Sequence, residues 1–178
     1  MSKILLIIGL GLLFALVNIA NDWLFAFTEY APNVSLIYLP AFLRLLHVML
    51  LGKIRGTLAT LLGGLVLLVA DKPGTSFQID AVNIVCSAAA PLLALIAFEQ
   101  MRARQVRLTS LTDLVLVTLI YCLFNSLLHH FAWAVFSDQP LGSAQQMMMM
   151  ALGDLTGALM GAYVLKWMAL RLNIGRAR

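Results

Sequence analysis

The sequence predicts an all-α, polytopic helical membrane protein, and three observations carry that prediction. Of its 178 residues, 62% are hydrophobic and only 11% are charged, against roughly half and a quarter in an ordinary globular domain. Mean hydropathy is +0.94. The apolar residues also fall into long runs divided by short polar turns, with the basic residues gathered at alternate turns. Runs of about 20 apolar residues are what a helix needs to cross a hydrocarbon layer of about 30 Å.

Six spans are expected, at residues 4–26, 36–52, 56–70, 80–100, 111–136 and 146–170, forming one transmembrane helical domain over 1–178. The first, "MSKILLIIGLGLLFALVNIANDW", has an apolar run longer than the core of a signal peptide. Asn18 is also a poor residue near a cleavage site, so an uncleaved span is expected. Spans two and three are short. They either cross a thin region or form a tight hairpin around Gly52, Lys53, Ile54, Arg55 and Gly56. Span four ends on Glu99 and Arg102, spaced for an i,i+3 ion pair. Span five opens with Ser110-x-x-Asp113, which has the form of a capping box. Span six opens on methionines 147–150, read as apolar filler, and continues through Gly153, Gly157 and Gly161. Small residues every four positions let another helix approach very closely. The outer connections "TEYAPNVS", "DKPGTSFQ" and "SDQPLGSAQQ" are rich in turn-forming residues and are expected to be loops.

Orientation follows from charge. Lys3, Lys53, Arg55, Arg102, Arg104, Arg107, Arg171, Arg176 and Arg178 fall on one side of a six-span chain, and the other side has only Lys72 beside Asp71. The positive-inside rule then puts both termini in the cytoplasm, with the chain a multi-pass protein of a bacterial inner membrane. The net charge of +4 is thereby assigned to topology, and nucleic acid is excluded as a partner. Cys86 and Cys122 lie inside apolar runs without metal-type spacing and read as small core residues.

The candidate site is a set of polar residues inside the apolar runs. An ionisable group near the bilayer centre costs several kcal/mol unless it meets a partner or water. Counted inward from the outer span ends, Arg44, Asp154, His129 and His130 lie at matching depths, with Asn18, Asn21 and Asp22 of span one, Asn83 of span four and Asn125 of span five also in the outer half. Arg44 and Asp154 are therefore expected to pair, either as a structural latch or as part of a ligand site. A guanidinium open to water would suit an anionic ligand. Thr118, Tyr121, Asn125, His129 and Trp133 share one face of span five. Thr118 and Tyr121 read as hydrogen-bonding glue between helices, Asn125 and His129 as a pocket wall. Haem held by His47, His129 or His130 is disfavoured, because adjacent histidines on a helix point about 100° apart. No cofactor and no metal site are expected.

Two stretches resemble a known group. "NVSLIYLPAFLRLLHVMLLGKIRGTLATLLGG" and "MMMMALGDLTGALMGAYVLKW" resemble the membrane-associated sensor domain of the first class, through Pro40, Arg44, Gly153, Asp154 and Gly157. The first stretch is also similar to the membrane part of bacterial sugar-phosphate sensor histidine kinases. The resemblance implies an inner-membrane sensory module that signals through a partner protein. Family members usually feed a cytoplasmic histidine kinase or cyclic-dinucleotide enzyme.

The function expected is a stand-alone, sensor-like membrane subunit. Its expected partners are membrane lipid, another membrane protein or a second copy of itself, and a small anionic ligand is a candidate. The alternatives are a substrate-binding or transport component, and a structural or assembly subunit of a larger complex. Enzymatic activity is not expected, since no Ser/His/Asp arrangement, metalloprotease motif or phosphate loop occurs.

Overall fold

Six α-helices account for nearly all of the described chain in the computed structural model, which describes residues 2–70, 76–136 and 143–171. The expected contrast of Lys72 with the opposite face, most of the last outer loop, and Arg176 and Arg178 lie outside the described residues. The helices are α1 (Lys3–Leu24), α2 (Pro40–Leu51), α3 (Lys53–Val69), α4 (Phe77–Arg102), α5 (Leu111–Phe136) and α6 (Ala144–Arg171). Four of them, α1, α4, α5 and α6, are long and apolar enough to cross a membrane.

The helix starts follow from local chemistry. Ser2 accepts a hydrogen bond from the Leu5 amide, Ser76 from Ile79, and Ser110 from Asp113. Each serine satisfies one of the amides that a first turn leaves without a partner. Ser143 and Gln146 cap α6 reciprocally: each side chain accepts from the other's backbone amide, at 3.2 and 3.0 Å. α2 begins at Pro40, whose fixed φ suits the first helical position.

The second expected span is revised by this structure. Residues 36–39 are not helical, and α2 has only 12 residues. Gly52 alone separates α2 from α3, at φ +80, a conformation glycine adopts freely, so the two helices form a tight hairpin, one of the two arrangements expected. Gly56 then lies against the backbone of His47 and Val48, where any Cβ would collide. The first outer connection is also more ordered than a plain loop. Residues Glu29–Ala31 (β1) and Val34–Ser35 (β2) pair as a small antiparallel hairpin, turning at Asn33 with φ 63. Its Val34 is buried against Trp133 and Met150, so the hairpin plugs one end of the bundle.

Packing is tightest where glycines face backbone. Gly11 of α1 and Gly63 of α3 meet so closely that a Cβ on either would strike the other helix. The ridge on α6 is used differently from the helix-to-helix contact that its spacing suggests. A Cβ at Gly153 would run into the Ser35 carbonyl, and one at Gly157 into the Tyr38 carbonyl; only Gly161 faces α2, at the Phe42 ring. The ridge thus cradles the non-helical residues that lead into α2. Those residues need it, because a bare backbone in hydrocarbon must find internal partners. The Tyr38 amide donates to the Gly153 carbonyl at 3.1 Å, Thr156 Oγ1 donates to the Leu36 carbonyl at 2.6 Å, and the Leu39 amide donates to Asn21 Oδ1 at 2.9 Å.

At the opposite end, Asp113 organises the basic turn between α4 and α5. Arg104 grips its carboxylate through both terminal nitrogens, at 2.5 and 2.8 Å, and Arg107 adds its backbone amide and Nε. Hydrogen bonding to that carboxylate pushes the Arg104 pKa up. Glu99 forms its ion pair with Lys53 of α3 at 2.5 Å, in place of the Arg102 pair expected from spacing. The partner from another helix was nearer than the neighbour on the same one.

Candidate functional site

The polar residues of the apolar runs converge between the six helices, turned away from the lipid-facing side. On α5, Tyr121, Asn125, His129 and Trp133 point inward, while Leu119, Leu123, Leu127 and Phe131 are exposed for lipid. One member of the expected stripe bonds within its own helix and not across to another. Thr118 Oγ1 donates back to the Leu114 carbonyl of its own helix at 2.7 Å. Tyr121 is fully buried, and its hydroxyl has no hydrogen-bond partner among the described residues.

The centre of the arrangement is a relay of charge through an amide. Arg44 and Asp154 are 5% and 1% exposed, yet among the described residues no direct ion pair joins them. Asn125 lies between the two. Its Oδ1 accepts from Arg44 Nη1 at 3.4 Å, and its Nδ2 donates to Asp154 Oδ2 at 2.6 Å. Only this orientation of the amide works, since a guanidinium cannot accept and a carboxylate cannot donate.

Arg44 and Asp154 also do not start from the equal depths expected of them. The close contacts of Ser35 with Gly153, Tyr38 with Gly157 and Phe42 with Gly161 show the two segments running in parallel. Leu36 is therefore level with the neighbourhood of Asp154 and not with the start of α6. Arg44 begins deeper than Asp154, and its long side chain, which leans toward the N-terminus of its helix, makes up the difference.

Tyr38 holds the other side of Arg44. Its hydroxyl accepts from Arg44 Nη2 at 2.7 Å and from Asn18 Nδ2 at 2.7 Å, and the guanidinium carbon lies 4.7 Å from the Tyr38 ring centroid. Phe14 stacks at 5.6 Å on the same guanidinium. Such faces stabilise a desolvated cation. Arg44 Nε nevertheless has no partner among the described residues. Asn18 is legible in the sequence as a polar residue inside the first apolar run, whereas Tyr38 has no charge to mark it and its one readable clue is an aromatic residue just ahead of the proline that starts α2.

The histidines separate. His129 Nδ1 is 2.9 Å from the Asn125 carbonyl, and its ring packs edge-on to Trp133. His130 lies 5.0 Å from the same indole, with neither ring nitrogen hydrogen-bonded among the described residues. His47 faces Thr60 across the α2–α3 hairpin, Nδ1 to Oγ1 at 3.0 Å. Among the described residues no cluster of three or more His, Cys, Asp or Glu has the form of a metal site.

Arg44, Asp154, Tyr38, Asn18 and His129 line one cavity of about 360 Å³. Asp22, Glu29 and Asp80 also line it, from the ends of α1 and α4 and from the hairpin. Its size is within the range of small-molecule pockets, roughly 300–1,000 Å³. Trp133 forms part of the wall and donates from Nε1 to Asn83 Oδ1 at 2.7 Å. Comparison of the chain with protein-family models, curated proteins and solved structures finds no match.

Proposed function

We propose that this protein is a sensor-like subunit of a bacterial inner membrane, with both termini in the cytoplasm, that binds a small ligand in its interior cavity and signals through a partner membrane protein. The observation that carries this reading is the buried guanidinium of Arg44, lining a cavity of ligand size and bonded among the described residues to neutral acceptors alone. A group so costly to bury is expected to do more than fill space. The resemblance of the Pro40–Arg44 and Gly153–Asp154–Gly157 stretches to membrane-associated sensor domains supports the same reading.

A structural reading competes on one specific observation: Arg44, Asn125 and Asp154 tie α2, α5 and α6 into one hydrogen-bonded chain. Exchanging the charges, with Arg44→Asp and Asp154→Arg together, separates the two. A latch is expected to keep both stability and signalling. A ligand site is expected to keep the fold and lose the response. Affinity purification from native membranes, followed by mass spectrometry, tests the partner; recovery of the chain alone and monomeric would refute a signalling subunit.

A further inference from the structure

The chemistry of the cavity selects among ligands, on the reading that the cavity is a ligand site. Arg44 has five N–H donors. Among the described residues two are used, on Asn125 and Tyr38, and Nε–H has no partner at a residue only 5% exposed. Tyr38 accepts from both Asn18 and Arg44, which leaves its own hydroxyl proton to donate. Among the described residues Arg44 Nε–H and the Tyr38 hydroxyl proton are thus left without an acceptor. This end of the cavity fits an oxyanion, whose planar or tetrahedral oxygens match the guanidinium fork.

An anion alone fits the rest of the cavity poorly. Asp154 lines the same space one amide away, is 1% exposed, and has among the described residues no cation within 4 Å. A simple anion on Arg44 would therefore lie beside a buried carboxylate. A simple cation would meet Asp154 and then face the guanidinium. Either ligand leaves one buried charge opposed by a like charge, which is costly in a medium of low dielectric. A molecule bearing both charges close together satisfies each end.

We propose that the ligand is a small zwitterion, with its oxyanion on Arg44 and Tyr38 and its cationic end toward Asp154. Glycine betaine is a suitable probe, because two near-isosteres each remove one charge: 3,3-dimethylbutyrate keeps the carboxylate, and ethyltrimethylammonium keeps the cation. The full chain, purified in mild detergent with Trp23→Phe and Trp167→Phe, leaves Trp133 in the cavity wall as the fluorescent reporter.

Betaine is expected to bind at least about tenfold more tightly than either isostere. Tyr38→Phe is expected to weaken betaine and dimethylbutyrate alike, and Asp154→Asn to remove the preference between them. Should Asp154→Asn fail to fold, the isostere comparison in the parent chain decides alone. Dimethylbutyrate or ethyltrimethylammonium binding as well as betaine overturns the zwitterion while leaving the ligand cavity standing. No fluorescence response to any of the three, or to phosphocholine, overturns both.

Discussion

Replacing Gly157 with alanine adds one methyl group, and the structure turns that change into a sharp test of how α2 is held. The new Cβ would collide with the Tyr38 carbonyl, which is backbone and cannot rotate aside. Residues 36–39 must then lift from α6. Two bonds are lost with the movement: Tyr38 amide to Gly153 carbonyl, and Thr156 Oγ1 to Leu36 carbonyl. A hydrogen-bonding group left unsatisfied away from water costs about 1–3 kcal/mol, so the two bonds together cost about 2–6 kcal/mol. Alanine returns about 1 kcal/mol through its higher helix propensity. The net loss expected is therefore about 1–5 kcal/mol. Gly9→Ala on α1 is the matched control, because nothing lies within 4 Å of a Cβ there, and it should be neutral or slightly stabilising. Reversible unfolding in mixed detergent micelles, followed by tryptophan fluorescence, reads both. If Gly157→Ala unfolds with the same free energy as the parent, the ridge does not hold residues 36–39 and the account of α2 is wrong.

Further expectations follow from the same contacts. Arg44→Ala and Asp154→Ala should each be severe, with a coupling of about 1–3 kcal/mol in a double-mutant cycle; that coupling should vanish in an Asn125→Ala background, and losses that simply add in the parent would show that no relay exists. Asp113→Ala should free the turn between α4 and α5, read as faster trypsin cleavage after Arg104 and Arg107; an unchanged rate would mean the clasp does not order that turn. Glu99→Gln should cost no more than about 1 kcal/mol, since its pair with Lys53 is partly exposed; a larger loss in the same unfolding assay would count against that reading. Cysteine at position 76 should label from outside intact cells and cysteine at 103 only after permeabilisation, and outside labelling at 103 would reverse the orientation.

What could be read from the sequence depended on whether the signal was local. The helical membrane architecture follows from length and composition, and the glycine ridge from spacing within one helix. The identity of what packs on the ridge did not follow, because periodicity says which face is bare and not what approaches it. "LIYL" reads as helix on hydropathy, although Pro40 directly after it marked a start at that residue. Arg44, Asn125 and Asp154 were identifiable as intramembrane polar residues. Their order in space was not, since counting from span ends ignores how far each helix projects. Lys53 with Glu99 shows the same limit: a spacing rule sees neighbours along one helix and cannot see a second helix arriving.

One consequence of the short α2 concerns electrical potential. Arg44 borders the cavity at one end of the bundle, and Val48, four residues on, borders a second crevice reaching in from the turn at Gly52 and Lys53. Four helical residues rise about 6 Å, a small fraction of a hydrocarbon layer of about 30 Å. Were water to fill both crevices, a voltage across the membrane would drop mainly over this thin partition and not over the full bilayer. Charges beside Arg44 would then sit at the edge of a focused field. Moving one elementary charge through the whole of it is worth about 2.3 kcal/mol per 100 mV, so even a small shift of the guanidinium toward Val48 would be sensed electrically.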